Sequence, residues 1–216
     1  VKQFGLNRNV PVIARQTAIL VIDVQNYTME DGGEYAGMEP GIVEQKYGYF
    51  FREMRGRAIP NMQALLAAGR QAGIEVIYTV IASLTEDGRD LSLDYKISNM
   101  FCTKNSRDAQ VMDEVAPRGD DIVLTKTSSS VFISTNIHYI LGNLGIRQLI
   151  IMGALTDQCV DSAVRDACDL GYLVTVPTDA CATQSQVRHE NSLANNAGYC
   201  RQITTQALVR EIEALG

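Results

Sequence analysis

Three side chains in this sequence could together do covalent chemistry. Asp23 follows the apolar run AILVI, Lys126 follows DIVLT, and Cys159 lies just past QLIIMGA. Each stands where a buried strand would end. Ligands of open parallel sheets bind beyond the carboxyl ends of the strands, so a carboxylate, an ammonium and a thiol would meet on one rim. Thr156 or Asp157 can cap the helix that follows, which puts Cys159 at its third or second position. Unpaired N–H groups and the helix dipole there favour a thiolate, and a nearby Lys126 would lower the thiol pKa further. Asp23 could take the thiol proton and return it to a departing amine. That is nucleophilic catalysis with a carboxylate as acid and base. Each residue alone has an ordinary explanation: a small buried hydrophobe, an Asx-turn, a solvated lysine.

The elements that must position these groups can be read from apolar runs. Residues 17–24 (TAILVIDV), 75–82 (EVIYTVIA), 122–125 (IVLT), 148–154 (QLIIMGA) and 172–177 (YLVTVP) are continuous rather than alternating, with 200–204 (CRQIT) a weaker sixth. Such runs mark a parallel sheet covered on both faces. Between them, 61–72, 130–144 and 157–170 carry apolar stripes at helical spacing: Met62, Leu65, Leu66; Ile133, Ile137, Ile140, Leu141, Leu144; Val160, Ala163, Val164, Ala167, Leu170. A helix, a glycine, one apolar residue and a strand recur in that order at Gly73, Gly145, Gly171 and Gly198. Glycine closes helices in the left-handed conformation, and each following strand then returns parallel through a right-handed crossover. Residues 26–57, rich in glycine and tyrosine, and the polar stretch 83–107 break the alternation and read as long loops.

The chain has 216 residues and a formal net charge of −6, with 46% hydrophobic and 20% charged residues. One α/β domain over residues 1–216 is expected, with a full core and no disorder. The acidic balance argues against nucleic-acid and anionic-membrane surfaces, and no apolar run approaches the roughly 20 residues of a span. No secretory signal is read at the N-terminus. The five cysteines, Cys102, Cys159, Cys168, Cys181 and Cys200, are odd in number and never spaced C-x-x-C, which points to thiols in a reducing, cytoplasmic setting. The two histidines, His138 and His189, end no predicted strand and read as structural.

Four blocks in order resemble the isochorismatase-like superfamily of cysteine hydrolases: AILVIDVQN, KTSSSVFISTNIHYILGNLGIRQLIIMG, ALTDQCVDSAVRDACDLGY and VPTDACAT. The similarity runs from about Thr17 to Leu215. It implies a three-layer α/β/α fold with a six-stranded parallel, doubly wound sheet, assembled as dimers or tetramers. It implies a triad of Asp23, Lys126 and Cys159, a cis peptide at Ala154–Leu155, and an oxyanion site built from the N–H groups of Leu155 and Cys159. Metal-binding nicotinamidases of the superfamily use an Asp and two His soon after the first strand. No His precedes His138 here, so neither metal nor cofactor is expected. Isochorismatases proper generally lack the cysteine, so its presence favours amide over vinyl-ether hydrolysis.

The resemblance therefore points to the metal-free amidohydrolases of carbamoyl and ureido compounds, such as biuret, triuret, N-carbamoyl amino acids or ureidoacrylate. The alternatives are hydrolysis of another small amide or an isochorismate-like ether, or a catalytically silent ligand-binding subunit. Candidate substrate contacts are Gln25, Asn26 and Tyr27 after the first strand, Asp157 in the nucleophile turn, and Tyr199. Arg52, Arg55 and Arg57 could bind a carboxylate or another subunit, with a solvated basic face as the default reading.

Overall fold

The computed structural model describes residues 4–29 and 31–215. Residues 1–3 and Gly216, included in the single-domain reading, lie outside the described residues, as does Glu30 within 26–57. The sheet is built from β1 (Thr17–Ile22), β2 (Glu75–Ile81), β3 (Ile122–Lys126), β4 (Gln148–Ala154), β5 (Leu173–Pro177), β6 (Cys181–Ala182) and β7 (Arg201–Ile203). All pairings are parallel, in the order β3-β2-β1-β4-β5-β7, with β6 added beside the end of β4. The sheet thus has seven strands. Six match the apolar runs; β6 is two residues long and leaves no periodic pattern.

Burial follows position in the sheet. β1 and β4 lie at its centre and bury every residue, as their unbroken apolar sequences require. β3 and β7 form the edges and are partly exposed. The chain winds outward in both directions from β1 and β4, which makes their carboxyl ends the switch point where an open α/β sheet has its crevice.

The helices are α1 (Pro40–Glu53), α2 (Ile59–Gln71), α3 (Leu93–Ile97), α4 (Val131–Ser134), α5 (Ile137–Asn143), α6 (Cys159–Asp169), α7 (Gln186–Asn196) and α8 (Thr205–Glu213). α2 packs with α8 and against β2, while α6 packs against β4 and β5 with α4 and α7 beside it. Right-handed crossovers running opposite ways along the sheet place these groups on opposite faces. None of the described helices is long and apolar enough to cross a membrane.

Two expectations are corrected. Residues 40–53 are helix, not loop: Pro40 starts α1, and Phe50, Phe51 and Met54 bury one face despite the neighbouring glycines. A wide π-turn at Met54–Ala58 joins α1 to α2. Pro60 in the first turn of α2 accounts for it, since its ring and missing N–H disrupt the regular ladder one turn earlier. The helix expected over 130–144 is broken in two. Thr135 adopts extended backbone while its hydroxyl bonds to Val131 O and accepts from Ile137 N, ending α4 and opening α5. Ile133 is consequently 79% exposed rather than part of a core stripe.

Gly73, Gly145 and Gly171 have the left-handed φ expected of helix-closing glycines, whereas Gly198 does not. Gly153 matters more to the site. Its φ is 127°, and a Cβ there would lie 2.1 Å from the carbonyl oxygen of Ile22, the residue before Asp23. Gly153→Ala is expected to destabilise the protein by about 3 kcal/mol or more, because neither backbone can yield within the sheet centre. Urea unfolding measures this; a loss below about 1 kcal/mol would show that the strand ends adjust freely.

Candidate active site

The topology brings Asp23, Lys126 and Cys159 together. Asp23 leaves β1 with φ 52°, a left-handed conformation that Asp tolerates better than most residues. Its N–H bonds to Thr79 O at 3.1 Å, and Thr79 Oγ1 donates to Asp23 Oδ1 at 2.7 Å. Lys126 ends β3, two strands away, a separation of roughly 10 Å that only a long side chain crosses. Its Nζ stands 2.9 Å from Asp23 Oδ2 and donates to Tyr95 OH at 2.8 Å, Ser128 O at 2.9 Å and Cys159 Sγ at 3.3 Å. Those three acceptors match the three N–H bonds of an ammonium. Asp23 Oδ2 is therefore paired by charge but accepts no hydrogen bond, and it keeps a lone pair for a proton.

The cluster is dry: Lys126 is 0%, Asp23 1% and Cys159 6% exposed. Burial works against the Lys126 charge, but Asp23, Cys159 and Tyr95 carry its pKa above that of an ordinary lysine. The expected depression of the thiol is not what the structure shows. Burial pushes Cys159 up to about 11, Lys126 opposes this, and the Asp23 charge and hydrogen bond add to the rise. Desolvation of a thiolate outweighs the helix end in so enclosed a place. The balance favours the thiol form of Cys159, with the Asp23 carboxylate beside it. Alkylation by a small neutral reagent should accelerate as pH rises toward about 11, not level off below the ordinary thiol value of about 8.5. A rate plateau already reached near pH 7 would contradict this.

The turn leading into α6 also differs in detail from expectation. Gln158 is the N-cap of α6, without a side-chain cap bond, and Cys159 is the first helical residue. The Ala154–Leu155 peptide is cis. Among the described caps and loops, the N–H groups of Leu155 and Cys159 meet no acceptor. The turn is gripped by α7. Arg188 Nε bonds Asp157 at 2.5 Å, His189 Nδ1 meets Thr156 Oγ1 at 2.9 Å, and Ser192 Oγ donates to Thr156 O at 3.0 Å. Asp157 also accepts from Thr183 at 2.5 Å, so it is neither a cap nor a wall of the cavity. Burial lowers the His189 pKa, and His138 is held by Tyr172 OH at 2.9 Å. Neither histidine is among the residues that line the cavity described next.

A cavity of about 720 Å³ opens above the cluster, with Asp23, Ala154, Leu155 and Cys159 in its floor. Of the proposed substrate contacts, only Tyr27 lines it, with its hydroxyl accepting from Phe101 N at 3.0 Å. Gln25 is fully buried and spends its amide on Ile81 N, Ile81 O and Asp108 O. Asn26 bonds Arg107 O, and Tyr199 lies against the Arg165 guanidinium, 4.8 Å from carbon to ring centroid. Neither reaches the cavity. Arg52 and Arg57 pair with Glu44 and Glu53, and Arg55 with Glu114, away from the cavity.

Several wall and support residues were not anticipated. Tyr95 sits on a five-residue helix inside the stretch read as loop, and Thr79 looks like any strand residue. Glu34, Tyr35, Tyr47, Phe50, Met100 and Gln184 reach the cavity from segments distant in sequence. Only the density of aromatic residues over 26–57 hinted at them. All five cysteines are free.

Residues 17–207 match the family model described as Isochorismatase domain. Ureidoacrylate amidohydrolase RutB of Rhizobium rhizogenes is 32% identical over 181 residues, covering 76% of this chain and 70% of that protein. The probable inactive nicotinamidase of Arabidopsis thaliana is 34% identical over 182 residues, covering 81% of this chain and 85% of that protein. A crystal structure of a cysteine hydrolase from Pseudomonas syringae superposes with a TM-score of 0.76 at 21% identity, covering 96% and 97% of the two chains.

Proposed function

The chain belongs to the isochorismatase family, and from that membership we propose that it is a metal-independent cysteine amidohydrolase cleaving a C–N bond of a small carbamoyl or ureido compound. The observation that carries the reading is one buried ammonium lying 2.9 Å from a carboxylate oxygen and 3.3 Å from a thiol, with the carboxylate and the thiol lining a cavity.

The cycle balances around Asp23. Cys159 Sγ attacks the amide carbonyl carbon as its proton passes to Asp23 Oδ2, and the carbonyl electrons move onto oxygen. The Leu155 and Cys159 N–H groups receive that oxyanion. Collapse breaks the C–N bond while Asp23 delivers its proton to the departing nitrogen. A water then loses a proton to Asp23 and attacks the thioester or thiocarbamate. The C–S bond breaks and the sulfur recovers the proton. Lys126 holds Asp23 in place and neutralises charge on sulfur. The reading includes work as a homo-oligomeric dimer or tetramer on a small molecule in the cytoplasm, the last supported by the free thiols.

Ammonia release from biuret, triuret, N-carbamoyl amino acids, ureidoacrylate and nicotinamide tests the class. Turnover of a ureide with nicotinamide inert is expected. Silence across the panel together with an unreactive Cys159 would favour a catalytically silent subunit, the alternative with which the name of the Arabidopsis relative agrees. Among the described residues no group of three His, Cys, Asp or Glu side chains is placed to hold a metal. Activity is expected to persist after exhaustive EDTA treatment and dialysis. A loss that zinc or manganese restores would overturn the metal-independent assignment.

A further inference from the structure

The cavity above Cys159 has one sign of charge. Among its described lining residues, Asp23 lies on the floor, Glu34 on the wall and Asp94 at the mouth, and none is Lys, Arg or His. The ammonium beneath is no substitute. Lys126 is wholly buried, is absent from the lining, and directs its three N–H groups to Tyr95, Ser128 and Cys159. The floor carboxylate is paired in charge with Lys126 at 2.9 Å, but its Oδ2 accepts no hydrogen bond, in a residue only 1% exposed. The wall is aromatic. Tyr35 and Tyr47 stand with ring centroids 4.7 Å apart, and Tyr27 and Phe50 complete it.

A carboxylate beside aromatic faces attracts organic cations through charge and the ring quadrupole together. The same field repels a carboxylate, and partial enclosure strengthens both effects. Burial lifts the Glu34 carboxyl to about 7, with the Tyr35 hydroxyl opposing the rise. Its charged form is therefore the one that a bound cation would favour.

We propose that this cavity takes an amide or ureide whose far end is an ammonium or guanidinium group, seated against Glu34 and the Tyr35–Tyr47 ring pair, and that it rejects ureides ending in a carboxylate. The inference rests on the amidohydrolase reading and narrows it to a charge class of substrate. It separates this chain from relatives named for ureidoacrylate, whose name specifies a carboxylated ureide.

The test uses three ureas of similar size: (2-aminoethyl)urea, propylurea and N-carbamoylglycine. Calorimetric binding to Cys159→Ser at pH 8 reads recognition without turnover. The cation is expected to bind about tenfold tighter than propylurea, and the anion about tenfold weaker, as one charge against a partly enclosed carboxylate implies. Glu34→Gln should bring the cation to within about threefold of propylurea, once the opposing charge is removed. The charge series in the Glu34 background carries the test by itself should Glu34→Gln fold poorly. Anion binding equal to the cation, a cation preference that survives Glu34→Gln, or no binding by any of the three would overturn the proposal. Ammonia release by the unsubstituted protein from any of the three, lost in Cys159→Ser, upholds the amidohydrolase reading whichever charge is preferred. Binding in the expected order without ammonia release sinks that reading and leaves the charge selectivity standing.

Discussion

Cys159→Ser is expected to lower kcat by at least about 10³-fold with the fold intact. The side chain is 6% exposed and packed between Lys126 and Tyr95, so an oxygen of slightly smaller radius costs little packing. The chemistry changes far more. A serine hydroxyl is much less acidic than a thiol, and Asp23, the base in the proposed cycle, would have to remove that proton in the attacking step. The remaining rate would come from binding and from the Leu155 and Cys159-position N–H groups. Two measurements check this: kcat on the best ureide, and mass spectrometry of acid-quenched protein for an acyl group on Cys159. Activity within tenfold of the parent, with no adduct, would remove Cys159 from the role of nucleophile.

Lys126→Met is expected to abolish turnover and to destabilise the protein by about 3–5 kcal/mol, the usual cost of stranding one member of a buried ion pair. The ammonium is 0% exposed and lies 2.9 Å from Asp23 Oδ2, which has no other partner. Methionine fills the volume across β2 but leaves a carboxylate in a dry site and Tyr95 OH without its donor. Asp23→Asn combined with Lys126→Met should recover part of the lost stability and none of the activity, because the stranded charge is gone and so is the base. Urea unfolding of both singles and the double closes the cycle. If the double variant is as unstable as the sum of the singles, the pair is not coupled and the site is not held by charge.

Much of this was legible because buried parallel strands announce themselves. TAILVI and QLIIMGA have no alternation, since neither face of a central strand sees water, and both became fully buried strands. Asp23, Lys126 and Cys159 stand out because each is a reactive group that follows such a run. The helix from Pro40 to Glu53 was hidden because its glycines suggested a loop, while its buried face is supplied by aromatic residues rather than an aliphatic stripe. Substrate contacts were the weakest point. Gln25 and Asp157 sit in sequence where a ligand group would sit, but neighbouring backbone and Arg188 consume their hydrogen-bonding capacity.

Local composition is enough to mark six of the seven strands, the alternation of strands with the helices around 61–72 and 157–170, and the three reactive groups that follow strands on one rim. These follow from local composition and from the handedness of crossovers, both properties of short segments. The tertiary packing is what brings Tyr95 and Thr79 into the cluster and what buries Cys159 so that its thiol form is favoured. The same packing gathers Asp23, Glu34 and Asp94 around the cavity with no cationic side chain among its described lining residues. Those properties depend on desolvation and on which distant side chains share a space, and neither is encoded within any one segment.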